Sequence, residues 1–147
     1  MCWQAALKCF QESLQVCRQI VAEFGKTPKS LRDLSVSLDR VGDVWAAQRQ
    51  WQDALACYQE SLQVCRQIVD EFGETPESLR DLLVSHAKMA LALSGMDNHL
   101  LACEHARNAL QLATVLLENH PDDPLTQEDY RNAQILVARC VAQRPSA

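Results

Sequence analysis

The sequence predicts an all-α protein arranged as an α-solenoid of six helices, paired as antiparallel hairpins. Residues 9–34 and 57–82 are identical at 22 of 26 positions, at an offset of 48 residues. Self-similarity at such a period indicates a repeat array, in which each unit covers an apolar face of its neighbour. Within each copy the apolar residues recur at spacings of three and four, which is the helical period.

Composition supports the helical interpretation and narrows the function classes. The chain of 147 residues is 48% hydrophobic and 22% charged but only 5% aromatic, a mixture that favours helices over sheet. The net charge is −5 and no lysine or arginine cluster is present, which argues against a nucleic-acid partner and favours a basic or neutral protein surface. No apolar run approaches the roughly 18 residues of a membrane span, so we expect no membrane partner and a cytoplasmic location.

The helix boundaries follow from turn and cap residues. The first helix is predicted from Trp3 to Phe24, with Gly25 in the left-handed conformation after it and Thr27 and Pro28 opening the second. The same stop and start recur 48 residues later at Gly73, Thr75 and Pro76, and the fifth and last helices are predicted over about 99–118 and 125–143. The chain is predicted to be one domain, 1–147, with units of about 3–50, 51–98 and 99–143.

The middle of the chain resembles the tetratricopeptide repeat family. Its signature positions are occupied by Val41, Gly42, Trp45, Ala54, Tyr58 and Ser61. Gly42 and Ala54 are small where the two helices of a repeat cross closely, and Trp45 and Tyr58 fill the space beside them. The sequence departs from the family pattern at Arg66, where the family has a closing proline, and in its period of 48 instead of 34 residues.

This resemblance implies a superhelix whose A helices line a concave groove that holds a peptide or a partner's helix. The groove residues carried over by register are Asp39, Asp43, Ala47, Ala87, Lys88, Leu91, Asn132, Ile135 and Arg139. Asp39 and Asp43 lie one turn apart and predict either an acidic edge for a basic ligand or an ordinary solvated face. The expected function is therefore protein or peptide binding.

The same register gives the helix order B-A-B-A-B-A, so the first helix lacks its A partner and the last lacks its B partner. The residues expected to be under-covered are Trp3, Ala6 and Phe10 at one end and Val137 and Val141 at the other. Exposed apolar ends invite contact, which suggests a head-to-tail homo-oligomer. The alternative is a fragment of a longer array. Because long-period arrays resemble those attached to bacterial signalling ATPases and caspase-like proteases, a regulatory segment of such a protein is a further hypothesis.

Cysteine and histidine show no metal-site pattern. The seven cysteines are odd in number and lie mostly within helical patterns, which indicates free thiols in a reducing compartment. Cys9 and Cys17, like their copies, are interpreted as packing residues. His99, Cys103 and His105 cannot converge on one ion from a single helix, so no metal or cofactor is expected.

The sequence gives little support to catalysis. It contains no phosphate-binding glycine loop and no Gly-x-Ser-x-Gly elbow, so we expect no enzyme. His86 occupies the core-facing position of Leu38 one repeat later, which predicts a hydrogen-bonded core histidine more than a pH sensor.

Overall fold

The computed structural model describes residues 2–143, and all regular structure in that range is helical. The six helices are α1 Trp3–Phe24, α2 Pro28–Ala47, α3 Trp51–Phe72, α4 Pro76–Gly95, α5 His99–Asn119 and α6 Pro124–Ala142. The all-α prediction is confirmed, and the predicted boundaries of the first helix are those observed.

The starts of α2 and α4 are fixed by side-chain caps. The hydroxyl of Thr27 accepts a hydrogen bond from the backbone N–H of Ser30, and the hydroxyl of Ser30 accepts one from the N–H of Thr27. Thr75 and Ser78 form the same capping box, and Pro28 follows the first cap at a position where a missing N–H costs nothing. The threonine caps and the prolines are as predicted, whereas the serine half of each box was not anticipated.

Glycine ends α1 and α3 in a conformation other than the predicted one. Gly25 has φ 89° and ψ 178°, and Gly73 has φ 92° and ψ 172°. The positive φ explains why glycine stands at both positions. However, the extended ψ differs from the left-handed helical value, because the chain turns directly into the extended cap of the next helix.

The contacts divide the chain into two compact units, Met1–Gly73 and Glu74–Ala147. This boundary falls after α3, whereas the predicted repeat units end near residues 50 and 98. The single-domain organisation stays a prediction.

In unit 1, α2 packs against both α1 and α3. Its antiparallel arrangement with α3 is visible in two hydrogen bonds, from Tyr58 to Asp43 and from Ser61 to the carbonyl of Ser35. The core of this unit comprises Leu31, Leu34, Leu38, Val64 and Ile68, with Leu14, Cys17 and Val21 of α1 packed against it.

In unit 2, α5 packs against both α4 and α6. The core of this unit comprises Leu83, Ala109, Ala113, Leu116 and Ala133, of which three are alanines. Small side chains allow the helix backbones to approach closely, so many short van der Waals contacts between the helices stabilise the unit.

Helices α1 and α3 share most of their sequence but differ in burial. None of the described residues of α1 is buried, whereas α3 buries seven. Val16 and Ile20 are 52% and 41% exposed, while their copies Val64 and Ile68 are each 7% exposed. Cys9 is exposed, so its predicted packing role is wrong, because in the described part of unit 1 no helix covers that side of α1.

None of the helices within residues 2–143 has both the length and the apolar character that crossing a membrane requires.

Candidate functional site

The predicted groove residues of α2 lie in unit 1, and one of them is used by the fold. The hydroxyl of Tyr58 donates a hydrogen bond to Oδ1 of Asp43 at 2.6 Å. Burial of the ring, followed by the hydrogen bond to Asp43, raises the pKa of Tyr58 above its usual value. Asp43 and Ala47 are exposed, and Asp39 is half-buried. One of the two carboxylates of the predicted acidic edge is therefore already hydrogen-bonded to a buried tyrosine.

Tyr58 also explains the glycine at position 42. A Cβ atom added to Gly42 would lie 2.6 Å from Cε1 of Tyr58 and 3.2 Å from Cβ of Cys57. Tyr58 is almost fully buried and its hydroxyl is hydrogen-bonded, so the ring has no free direction in which to move. The close crossing of α2 and α3 predicted from Gly42 and Ala54 is thus observed, with Ala54 fully buried.

The predicted groove residues of α4 and α6 come together in unit 2. Both helices line a single groove of about 540 Å³. Its walls include all six residues expected from these helices, namely Ala87, Lys88, Leu91, Asn132, Ile135 and Arg139. The volume is within the range of about 300–1,000 Å³ that is common for binding pockets.

The walls of this groove are apolar and partly bare. Leu91 and Ile135 are each 49% exposed, and Leu83, Val84 and Leu136 lie deeper in the same groove. Exposed aliphatic side chains on facing helices form a surface that loses water when a partner's apolar residues cover it. The arrangement can therefore hold an apolar segment lengthwise between α4 and α6.

The charged residues of the groove are mainly basic. Lys88 is half-buried on α4, and Arg139 is exposed in the last turn of α6. The one acid in the lining, Asp129, accepts a hydrogen bond from Nε of Arg80 at 2.8 Å. Arg80 thus pairs with the one acid of the lining, and the two basic side chains give the lining an excess of basic groups.

Arg80 also fixes the position of α6. Its Nη2 donates a hydrogen bond to Oγ1 of Thr126 at 3.2 Å and lies 3.6 Å from Oδ2 of Asp123. Asp123 caps the start of α6. The pKa of Asp123 is lowered, mainly because its carboxylate accepts a hydrogen bond from the hydroxyl of Thr126. One arginine on α4 thus holds the first turn of α6 and sets one end of the groove.

Comparison with known families finds a similarity in the middle of the chain. Residues 34–82, one third of the chain, match the family model described as tetratricopeptide repeat. This segment is similar to the tetratricopeptide repeat. No curated protein matches the sequence.

The matched segment begins within α2, includes all of α3 and ends within α4. It therefore contains the close contact between Gly42 and Tyr58. The assignment of α2 as helix A and α3 as helix B stays a prediction from the sequence. The match covers a single segment and does not test the repeat length, so the 48-residue period stays a prediction from the sequence.

Tetratricopeptide repeats indicate a protein–protein interaction scaffold, and such repeats are generally non-catalytic. In the described residues, no group of three or more histidine, cysteine, aspartate or glutamate side chains is placed to hold a metal ion.

A pair of histidines, one of them buried, lies in unit 2. His86 is 4% exposed, and its Nδ1 lies 3.0 Å from Nδ1 of His105. The predicted core position of His86 is confirmed, while His105 as its partner was not anticipated. In unit 1 the corresponding positions are occupied by Leu38 and Cys57, which cannot form such a hydrogen bond between rings.

All seven cysteines are free. Cys65, Cys103 and Cys140 are buried, and burial raises the pKa of the Cys140 thiol, which lowers its reactivity at neutral pH. They therefore serve as small core residues, as expected from the sequence.

The predicted end-to-end residues are placed as follows. Trp3, Ala6 and Phe10 are half-buried on α1, and on α6 Val137 is half-buried and Val141 exposed. Their copies Ala54 and Tyr58 are fully buried, so α1 has more bare apolar surface than α3. Head-to-tail association through these residues stays a prediction.

Proposed function

We propose that this chain binds a partner protein through the groove between α4 and α6, and that the bound segment is apolar with acidic side chains. The observation that carries the proposal is the groove itself, which joins exposed aliphatic residues with two basic groups. Leu91 and Ile135 would contact the partner's apolar side chains, and Lys88 and Arg139 its carboxylates.

The charge of this groove differs from that of the α2 face. Asp39 and Asp43 on α2 favour a basic ligand, as the net charge of −5 also does. Asp43 already accepts a hydrogen bond from Tyr58, whereas the groove in unit 2 combines exposed Leu91 and Ile135 with basic side chains. The basic partner remains a prediction for unit 1, and we place the main binding surface in unit 2.

Two labelled amphipathic peptides with the same leucine spacing test the proposal. One has glutamate and the other lysine at its polar positions, and their binding is followed by fluorescence anisotropy. We expect the glutamate peptide to bind at least about tenfold more tightly, because like charges in a desolvated groove oppose association. Equal binding of the two peptides, or tighter binding of the lysine peptide, would contradict the proposed charge preference.

Matched variants locate the binding surface. Lys88→Glu with Arg139→Glu reverses both charges of the groove, and Arg107→Glu with Arg131→Glu makes the same change at exposed positions outside its lining. The first variant should lose the glutamate peptide and the second should retain most of its affinity. Similar losses in both would mean that general charge, and not the groove, binds the peptide.

A further inference from the structure

The duplicated helices α1 and α3 reveal two separate apolar strips in one repeated sequence. Leu14, Cys17 and Val21 of α1 pack against the core that α2 shares with α3. In α3, Val64 and Ile68 pack into that core, and they correspond to Val16 and Ile20 of α1. A helix of this sequence therefore contacts neighbouring helices with two strips, and within unit 1 α1 uses only one of them.

The unused strip on α1, formed by Phe10, Ser13, Val16 and Ile20, is here called the outer strip. Ser13, Val16 and Ile20 are exposed, and Phe10 is half-buried. The copies of these four residues in α3 are all buried. The outer strip thus repeats a packing surface that the same chain covers elsewhere.

The α2–α3 contact shows what kind of helix covers such a strip. Leu31 and Leu38 of α2 pack in one cluster with Val64 and Ile68. The hydroxyl of Ser61 donates a hydrogen bond to the carbonyl of Ser35 at 3.1 Å, a bond that needs only backbone from the partner. Gly42 lies against Tyr58, where a larger residue would collide with the ring.

We propose that the outer strip of α1 binds a partner helix of the α2 type in antiparallel orientation, with leucines seven residues apart and a glycine four residues after the second. The leucines cover Val16 and Ile20, and the glycine lies against Phe10. Because Phe10 lacks the hydroxyl that Tyr58 uses, the partner needs no carboxylate at the position of Asp43.

The sequence of α6 distinguishes this proposal from head-to-tail association. The positions of α6 that correspond to Leu31, Ser35 and Leu38 are Gln127, Arg131 and Gln134. All three are exposed and polar. Helix α6 of a second copy therefore lacks the leucines that would cover Val16 and Ile20.

A labelled peptide of residues 27–48, which is the α2 sequence with its cap, tests the proposal on the full chain. We expect saturable binding by fluorescence anisotropy. Val16→Glu should weaken it by at least about tenfold, since it places a charge in the apolar contact. Gln15→Glu is the control, because it adds the same charge next to Val16 at a position whose copy Gln63 is exposed in α3.

Two further probes complete the test. A peptide with Gly42→Val should not bind, and neither should a peptide of residues 123–143 from α6. Circular dichroism checks that Val16→Glu keeps its helix content. Absence of saturable binding by the α2 peptide, or equal binding to wild type and Val16→Glu, overturns the proposal. A wild-type dimer in light scattering that Val16→Glu dissociates also overturns it, since a second copy would then be the occupant.

Discussion

At the scale of single residues, Gly42, Tyr58 and Asp43 form a close contact between α2 and α3. Gly42 gives the ring of Tyr58 its space, and Asp43 holds the hydroxyl. One repeat later the corresponding residues are Ala90 and Ala106, both fully buried. The same helix crossing is thus packed by a glycine and a tyrosine ring in unit 1 and by two alanines in unit 2.

Gly42→Ala tests this contact. The added methyl group collides with Tyr58, so we expect a loss of about 1–3 kcal/mol in the free energy of unfolding measured with urea. In a Tyr58→Ala background the same substitution should cost little or nothing, because the pair then resembles Ala90 and Ala106. Additive effects in this double-mutant cycle would show that the two residues do not share the contact.

The raised pKa of Tyr58 predicts a dependence on alkaline pH. The folded state keeps the proton of Tyr58 at a pH where the unfolded chain has lost it, so this contribution to stability is present below about pH 10 and lost above it. Phenylalanine is the residue found at the corresponding position 10. Above about pH 10, Tyr58→Phe should therefore reduce the change in the free energy of unfolding with pH by up to about 1.4 kcal/mol per pH unit. The measurement is urea unfolding at several pH values. Cys57 and Cys140 remain in both proteins, so identical slopes would refute the role of Tyr58.

At the scale of helices, the sequence predicts most of the fold because its signals are local. Thr27 with Pro28, Thr75 with Pro76, and the glycines after α1 and α3 mark the helix ends through backbone preferences that need no tertiary context. Burial cannot be predicted from local sequence in the same way, since it depends on which other helices pack against a given helix. Cys9 and Cys57 occupy the same repeat position, yet only Cys57 is partly covered, and no local pattern distinguishes them.

Thiol labelling measures this difference directly. Cys9 should react with a thiol reagent faster than Cys57, and Cys17 faster than Cys65, because α1 lacks the cover that α3 has. Mass spectrometry of the digested protein after short labelling times resolves each position through the residues that differ between the copies. Equal rates within both pairs would mean that α1 is as well covered as α3.

Arg80 predicts how α6 is held in unit 2. Arg80→Met removes the bonds to Asp129 and Thr126, which should cost about 1–3 kcal/mol and speed hydrogen exchange in the first turns of α6. Arg107→Met, on α5 of the same unit, changes an exposed side chain and should stay within about 0.5 kcal/mol. Equal effects of the two substitutions would remove the special role of Arg80.

At the scale of the whole molecule, the candidate site was only partly predictable. The family register identified six residues that line the groove of unit 2, since residues at equivalent helix positions face the same way. The register did not anticipate that Arg80 pairs with Asp129, nor that Tyr58 donates a hydrogen bond to Asp43. Both contacts join residues on different helices. The resulting charge of the groove could therefore be read only from the packed helices.

The most direct test of the account is selection from a random peptide library on three proteins: wild type, Lys88→Glu with Arg139→Glu, and Arg107→Glu with Arg131→Glu. We expect wild type and the second variant to enrich the same apolar peptides rich in aspartate and glutamate, while the first variant enriches basic ones. If all three proteins enrich the same peptides, or if none enriches any, the groove between α4 and α6 is not the binding surface.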